Sequence, residues 1–413
     1  MKSLAGLISW IPSPWAHKTS NANPPAQQVG SLEDLPLEIL YLIAESLDPA
    51  AKACLSLCNH RLHGLFGQKH PFRIRTEAWH TLHTSLARGH PSLIYCRLCA
   101  HVHRREDISP PGPAWQTTAS FPRHGTEPAM RGLQWCLAVH QTESLYQFNY
   151  MHVQLAMKRH ACGPEHGIAT ADLAHVEVLT VPSRRLTSLL SVEAEVCAAP
   201  RGQASLCLRL QNWALLREPH VHRLPFMRIC AHRNVHVPHV SAVIQKGLEE
   251  YRWRAFEARE SGTRTGTGTE TPSEPPQTFH CPSCDTTYQV EVRTCGDDGV
   301  AVVVTKWLDL GAGLDPQDHD WTRHIFGDRL DRRAAMHALP EESVRTRFER
   351  SSAVSREDLT RRNSGLLEGR AYTRKMDHWF DHVWVLQGNK RLPIYCYLPP
   401  KKNVLASQVR HRS

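Results

Sequence analysis

The stretch FHCPSCDTTYQV, Phe279–Val290, sets two thiols two residues apart just ahead of an alternating apolar run. That spacing lets Cys281 and Cys284 reach one metal ion, but a tetrahedral site needs four donors. The run continues as TYQVEVRTCGDDGVAVVVTKW, Thr287–Trp307, which predicts a β-hairpin. Tyr288, Val290 and Val292 share one face, and Gly296–Gly299 supplies the positive φ angles of a tight reversal. The missing donors lie upstream in MRICAHRN, Met227–Asn234, as Cys230 and His232. Three thiols and one imidazole in a C-x-H…C-x-x-C arrangement suit tetrahedral Zn2+ and leave no position for water. Closing the long loop between the halves costs about 4 kcal/mol. Structural zinc in small peptides releases ~10–16 kcal/mol, so the insertion is no obstacle. The bland alternative makes Cys230 a core thiol and His232 a surface residue, with His236 and His239 as competing imidazoles nearby. A redox role for the C-x-x-C pair lacks the surrounding βαβ pattern.

A second C-x-x-C occurs in YCRLCAHVHRRED, Tyr95–Asp107, where Cys96 and Cys99 precede His101 and His103. The set Cys96, Cys99, His103 and Cys136 makes a second metal site, with His140 of WCLAVH as another completing donor. A packed turn carrying two reduced thiols is the competing reading.

The 413 residues carry 41 % hydrophobic and 22 % charged side chains, ordinary for a globular chain of two to three domains. The net charge of +9 and pI near 9.0 attract polyanions weakly, but acidic residues accompany the basic ones. No basic stripe or base-stacking motif appears, so nucleic acid is not an expected partner. Thirteen cysteines, an odd number spread along the chain, do not resemble a secreted disulfide scaffold. No apolar run reaches the ~18 residues of a membrane span. The opening segment, broken by Pro12 and Pro14, does not read as a secretory signal. The expected compartment is reducing: cytoplasm or nucleus.

The expected organisation is a flexible arm at 1–30, a helical segment at 31–67 and a mixed α/β region at 68–258 with an irregular proline-rich loop at 105–128. A low-complexity linker follows at 259–278, then the C-x-x-C hairpin module at 279–330, a C-terminal region at 331–400 and a basic tail at 401–413. Within the mixed region, FNYMHVQLAMKRHA (Phe148–Ala161) and VSAVIQKGLEEYRWRAFEARE (Val240–Glu260) have helical apolar spacing. SLCLRLQNWALL, Ser205–Leu216, alternates as a strand. The fold class is therefore α+β: a short helical hairpin, then a zinc-stapled mixed α/β region with a C-terminal β-hairpin.

The segment SLEDLPLEILYLIAESLDPAAKACLSLCNHRLHGLFG, Ser31–Gly67, predicts that hairpin. Asp34 and Pro36 open the first helix, with Leu35, Ile39, Leu40, Leu42, Ile43 and Leu47 as its apolar face. Asp48 caps the second, Pro49 takes its first position, and Gly67 stops it after Leu55, Cys58, Leu62 and Leu65. A unit below ~40 residues has apolar surface left to cover. This segment resembles an F-box, the motif by which substrate receptors dock on the adaptor of cullin-based ubiquitin ligases, and LPLEIL is its most specific part. By that resemblance Leu35, Pro36, Ile39 and Leu40 contact the adaptor. The blocks quoted above, together with VQLAMKRHACGPEHGI, VVTKWLDLGAGLDPQDHDW and ESVRTRFERS, are similar to successive parts of the fungal F-box-domain-containing proteins over most of 31–365. That group is mostly uncharacterised, so the resemblance implies a type of protein and no particular target.

No nucleophile elbow, Walker loop or dinucleotide fingerprint is present. His378 and His382 in DHWFDHVWV have metalloprotease spacing without the glutamate. The expected function is a non-catalytic F-box-like subunit that recruits an unidentified target to a cullin-type ligase. The alternative is a zinc-containing protein associated with nucleic acid or chromatin.

Overall fold

The computed structural model describes residues 32–67, 76–97, 100–108, 111–113, 146–181, 186–198, 202–216, 227–260, 276–295, 298–324, 342–367, 384–387 and 390–393. The chain divides after Leu82 into two units, treated separately below.

In the first unit a short turn at Leu32–Asp34 leads into α1 (Leu37–Ser46), α2 (Pro49–Leu57) and α3 (His60–Phe66). The Asp48 carboxylate accepts from the Ala50 and Ala51 amides at 2.8 and 2.9 Å, and Pro49 stands at the first helical position, as expected. The second expected helix is two. Asn59 Oδ1 accepts from the Leu62 amide at 2.8 Å, so the chain stops after Leu57 and starts again. Leu40, Ala44, Ala50, Ala53 and Leu62 are buried, and Tyr41 meets Phe66 edge to face at 5.6 Å.

The second unit contains the end of α4 (Thr76–Gly89), then β1 (Leu93–Cys96), β2 (His101–Arg104), β3 (Gly112–Pro113), β4 (Tyr146–Gln147) and α5 (Tyr150–Cys162). There follow β5 (His175–Val181), β6 (Leu186–Ala198), β7 (Ala204–Leu216), α6 (Pro238–Glu260), β8 (Thr278–His280), β9 (Thr287–Thr294) and β10 (Val300–Asp309). The last elements are α7 (His319–Thr322), α8 (Val344–Ser351), α9 (Arg356–Leu367), β11 (Trp384–Gln387) and β12 (Lys390–Pro393). Eight strands form one antiparallel sheet in the order β12-β11-β5-β6-β7-β10-β9-β8. The fold is mixed α/β, and no helix among the described residues is long and apolar enough to cross a membrane.

The hairpin read from Thr287–Trp307 is β9–β10, with Thr294 opposite Val300. It is no separate module. β10 pairs along its whole length with β7, so strands from either side of the linker at 259–278 share one sheet. Both faces of that sheet are covered. Leu190, Leu208, Leu210 and Leu308 pack with α5, while Ala214, Val290, Val302 and Val304 pack with α6 on the same face. The opposite face holds Leu189, Trp213 and Val303 with Leu367 of α9, and Cys197, Cys207 and Trp307 with Phe348 of α8. A strand buried on both faces has no polar side to show, which is why β10 reads VAVVV without alternation. Gly247 lets α6 press onto β9: a Cβ there would meet Val292 Cβ at 2.7 Å.

The face under α8 and α9 also buries charge. Arg209, 0 % exposed, donates to Glu193, to both oxygens of Glu349 at 2.8 Å, and to the Val354 carbonyl at 2.8 Å. Its guanidinium lies 5.0 Å from the centre of the Phe348 ring. Gln211 donates to Thr305 and Thr360 and accepts from Trp213 Nε1 and Asn363 Nδ2. Such a network is stable only when every member has its partner.

Candidate metal centre

The segment after β7 is shaped by its own backbone. Arg228 bridges Asn234, the Ile229 and Cys230 amides both donate to the Arg233 carbonyl, and the Val235 amide donates to Met227. Met227, Ile229 and Val235 are buried against Val240, Ile244 and Leu248 of α6, which fixes this reversal on the sheet. Cys230 and His232 are thereby presented together. The second half lies between β8 and β9. The Cys281 amide donates to the Thr286 carbonyl at 2.9 Å, and the Asp285 amide donates back to Cys281 at 3.0 Å. Asp285 sits at φ 52°, the left-handed conformation that closes this knuckle.

The structure brings all four expected donors together. The ligand atoms of Cys230, His232, Cys281 and Cys284 lie within 4.8 Å of one another, so the group could hold a metal ion. A tetrahedron with sulfur ~2.3 Å from its centre has edges of about 3.8 Å, so small adjustments complete the shell. The three sulfurs are buried, and His232 forms the exposed corner. Of the competing imidazoles, His239 bonds the Tyr288 hydroxyl at 3.0 Å instead, and His236 is exposed outside the group.

The close packing of the donors also perturbs their protonation. Hydrogen bonds from Cys230 and then Cys284 hold the Cys281 thiol far below its usual range. Cys230, which gives up its hydrogen bond to Cys281 and Cys284, is held well above it. Bonding to Cys281 and Cys284 raises His232 to about 9. Three deprotonated sulfurs in one closed group would need a divalent charge among them. Surrounding groups brace the knuckle. The Thr286 hydroxyl lies 3.1 Å from Cys284 Sγ, and Arg323 pairs with Asp285 at 2.6 Å. Lys306, fully buried, donates to the Arg228 carbonyl at 2.9 Å. Sequence reading did not single out Arg323, Thr286 or Lys306, because their roles exist only once the two halves meet.

Of the second expected site only Cys96 and His103 are described. Cys96, at the end of β1, is buried in the core beside Ile94, and the register sets it opposite His101, while His103 lies opposite Ile94. Cys99, Cys136 and His140 lie outside the described residues, as do His378 and His382. Of the expected adaptor-contacting residues, Pro36 and Ile39 are exposed and Leu35 is half-buried. Leu40 is 0 % exposed and points inward with Ala44, about 100° around the helix from Ile39.

Comparison with family models, curated proteins and solved structures finds no match in any of the three.

Proposed function

We propose that this chain is a non-catalytic, F-box-like subunit that recruits a target protein to a cullin-type ubiquitin ligase, and that zinc occupies its Cys230–Cys284 centre. The observation that carries the reading is the apolar surface of the first unit. Leu32, Leu37, Ile39, Tyr41 and Leu42 are all exposed, Leu42 at 62 %, within the segment that resembles an F-box. Large side chains gathered so closely on a small helical unit mark an interaction surface. Its occupant is the ligase adaptor. Three thiolates and an imidazole select a soft or borderline cation over calcium or magnesium, and the filled tetrahedron gives zinc no open position for chemistry. Ubiquitin transfer then falls to other subunits, with this chain supplying proximity.

Reconstitution with purified adaptor tests the docking. The wild-type chain should co-elute with the adaptor, and a double change of Ile39→Asp and Leu42→Asp should weaken binding at least tenfold, as expected for two anchors. Both side chains are exposed, so circular dichroism should be unchanged. No complex with the wild type, equal binding by the double variant, or steep salt-dependent binding to duplex DNA in place of the adaptor would overturn the reading.

A further inference from the structure

The long helix α6 carries large apolar side chains on both of its sides. Val240, Ile244 and Leu248 are buried against the sheet, with Tyr251 packed beside them. The helical repeat sends Trp253 out from the opposite side, where it is 63 % exposed, and Phe256, one turn on, is 53 % exposed. Their ring centres lie 6.4 Å apart at an interplanar angle of 32°. Single exposed apolar side chains are ordinary, but two adjoining aromatics in solvent mark a contact surface.

Carboxylates surround the pair. Glu249 and Glu257 stand one turn before and one turn after Trp253, Glu250 flanks it, and Glu260 follows Phe256 by one turn; all four residues are exposed. Among the described residues Lys246 is the one cation on that stripe, while Arg252 and Arg254 lie to either side, rotated toward the sheet. This charge pattern selects among occupants. A two-fold axis near Trp253 would set Glu249 and Glu250 of one copy against Glu257 and Glu260 of a second, so like charges oppose a dimer here. Anionic lipid headgroups would meet the same carboxylates. The linker that follows, Ser261–Thr278, holds no large apolar side chain to lay on the rings, and its single arginine, Arg264, has no apolar neighbour to accompany it. A cationic segment is complementary. An aromatic face attracts arginine in particular, because the flat guanidinium stacks on the ring while its N–H groups donate to nearby carboxylates.

We propose that the outer face of α6 binds an arginine-bearing segment of another protein, with a guanidinium on Trp253 within reach of Glu249 and Glu250 and an apolar anchor against Phe256. The aromatic pair supplies the area that excludes water, and the carboxylates supply the preference for a basic sequence. This surface belongs to the second unit alone and needs neither the adaptor nor the metal.

The test titrates a fluorescein-labelled peptide of alternating arginine and leucine with the full chain, read by anisotropy. This peptide should bind, its lysine counterpart more weakly, and its glutamate counterpart not at all. Trp253→Ser together with Phe256→Ser should weaken binding at least tenfold, as expected for two aromatic anchors. Glu249→Gln together with Glu250→Gln should weaken it about threefold, and Ile39→Asp with Leu42→Asp should leave it unchanged. The α6 side chains changed are all exposed, so circular dichroism should not move; if the aromatic variant nonetheless fails to fold, the glutamine variant decides alone. No binding of the arginine peptide, equal binding by the α6 variants, or equal binding of the glutamate peptide would overturn the proposal. So would a free chain that sediments as a dimer and becomes a monomer on the aromatic change, because a second copy would then occupy the face.

Discussion

Removing the metal should loosen a defined part of the second unit without unfolding it. A ligand that binds only the folded chain stabilises it by RT ln(1 + [L]/Kd), about 4 kcal/mol at a thousandfold excess over Kd. Domains have roughly 5–15 kcal/mol in hand, and the metal donors lie beside the eight-stranded ladder instead of within it. The sheet should therefore survive. For a unit of this size each kcal/mol moves Tm by about 2 °C, so chelation should lower Tm by about 8 °C. Cys284→Ser should lower it by a similar amount and make it indifferent to chelator. Hydrogen exchange locates the effect. The Cys230, Cys281 and Asp285 amides, which bond only within the two metal-bearing reversals, should exchange faster, while β6 and β7 stay protected. Elemental analysis should find zinc lost in step with Tm. A chelator that changes neither metal content nor Tm, or exchange that rises in β6–β7 and not at the knuckle, would refute this account of the centre.

Other perturbations probe the fold. Arg209→Met leaves Glu349 and Glu193 without their buried partner and should cost about 3–5 kcal/mol by urea denaturation; a cost under 1 kcal/mol would show the network to be dispensable. Asp48→Ala removes the cap of α2 and should cost about 1 kcal/mol, read as lost helicity in a fragment or in the whole chain. Gly167→Ala should prevent soluble expression, since φ is +58° and the new Cβ would lie 1.8 Å from the Leu155 carbonyl; a stable variant would contradict the local geometry. Lys306 has its pKa pulled down to about 7 by desolvation, against 10.5. Between those values the unfolded chain binds the extra proton, so this residue makes stability rise with pH from about 7 to 10.5. Lys306→Met should flatten that rise in denaturation curves at pH 7 and 9, and parallel curves would refute the assignment.

The metal centre was legible because each half is local: C-x-H and C-x-x-C are spacings that a single reversal can present, and only their meeting had to be inferred. The hairpin and β7 were legible from apolar patterning. β6 was not, because Glu193 and Glu195 interrupt its pattern, and Glu193 is there to pair with Arg209 on the polar face. The same cause hid α9. Its inward positions, Arg356, Leu359, Thr360, Asn363, Ser364 and Leu367, have helical spacing, but most are polar because they face Gln211 and Glu291. A hydrophobic template finds only helices that cover apolar surface. In α1 the opposite problem arose: Ile39, Leu40 and Leu42 are all apolar, so the sequence could not say which faced inward.

The position of the metal centre follows from what the sheet leaves unsupported. β9 and β10 are buried on both faces, yet their side of the sheet ends in β8, a strand of three residues that is only partly buried. A short edge strand resists pairing with other chains, but contributes few bonds to hold the next strand in place. The connection after β7 and the connection from β8 to β9 lie at this weak margin, and four donors drawn from them come within 4.8 Å of one another, so a bound metal would lock the two together. Arg323, bonded to Asp285, extends the lock to the turn after α7. Cross-linking two backbone reversals uses every coordination position of a tetrahedral ion, and an ion so used has none left for a substrate. A metal bound by all four donors would thus serve the structural role proposed above.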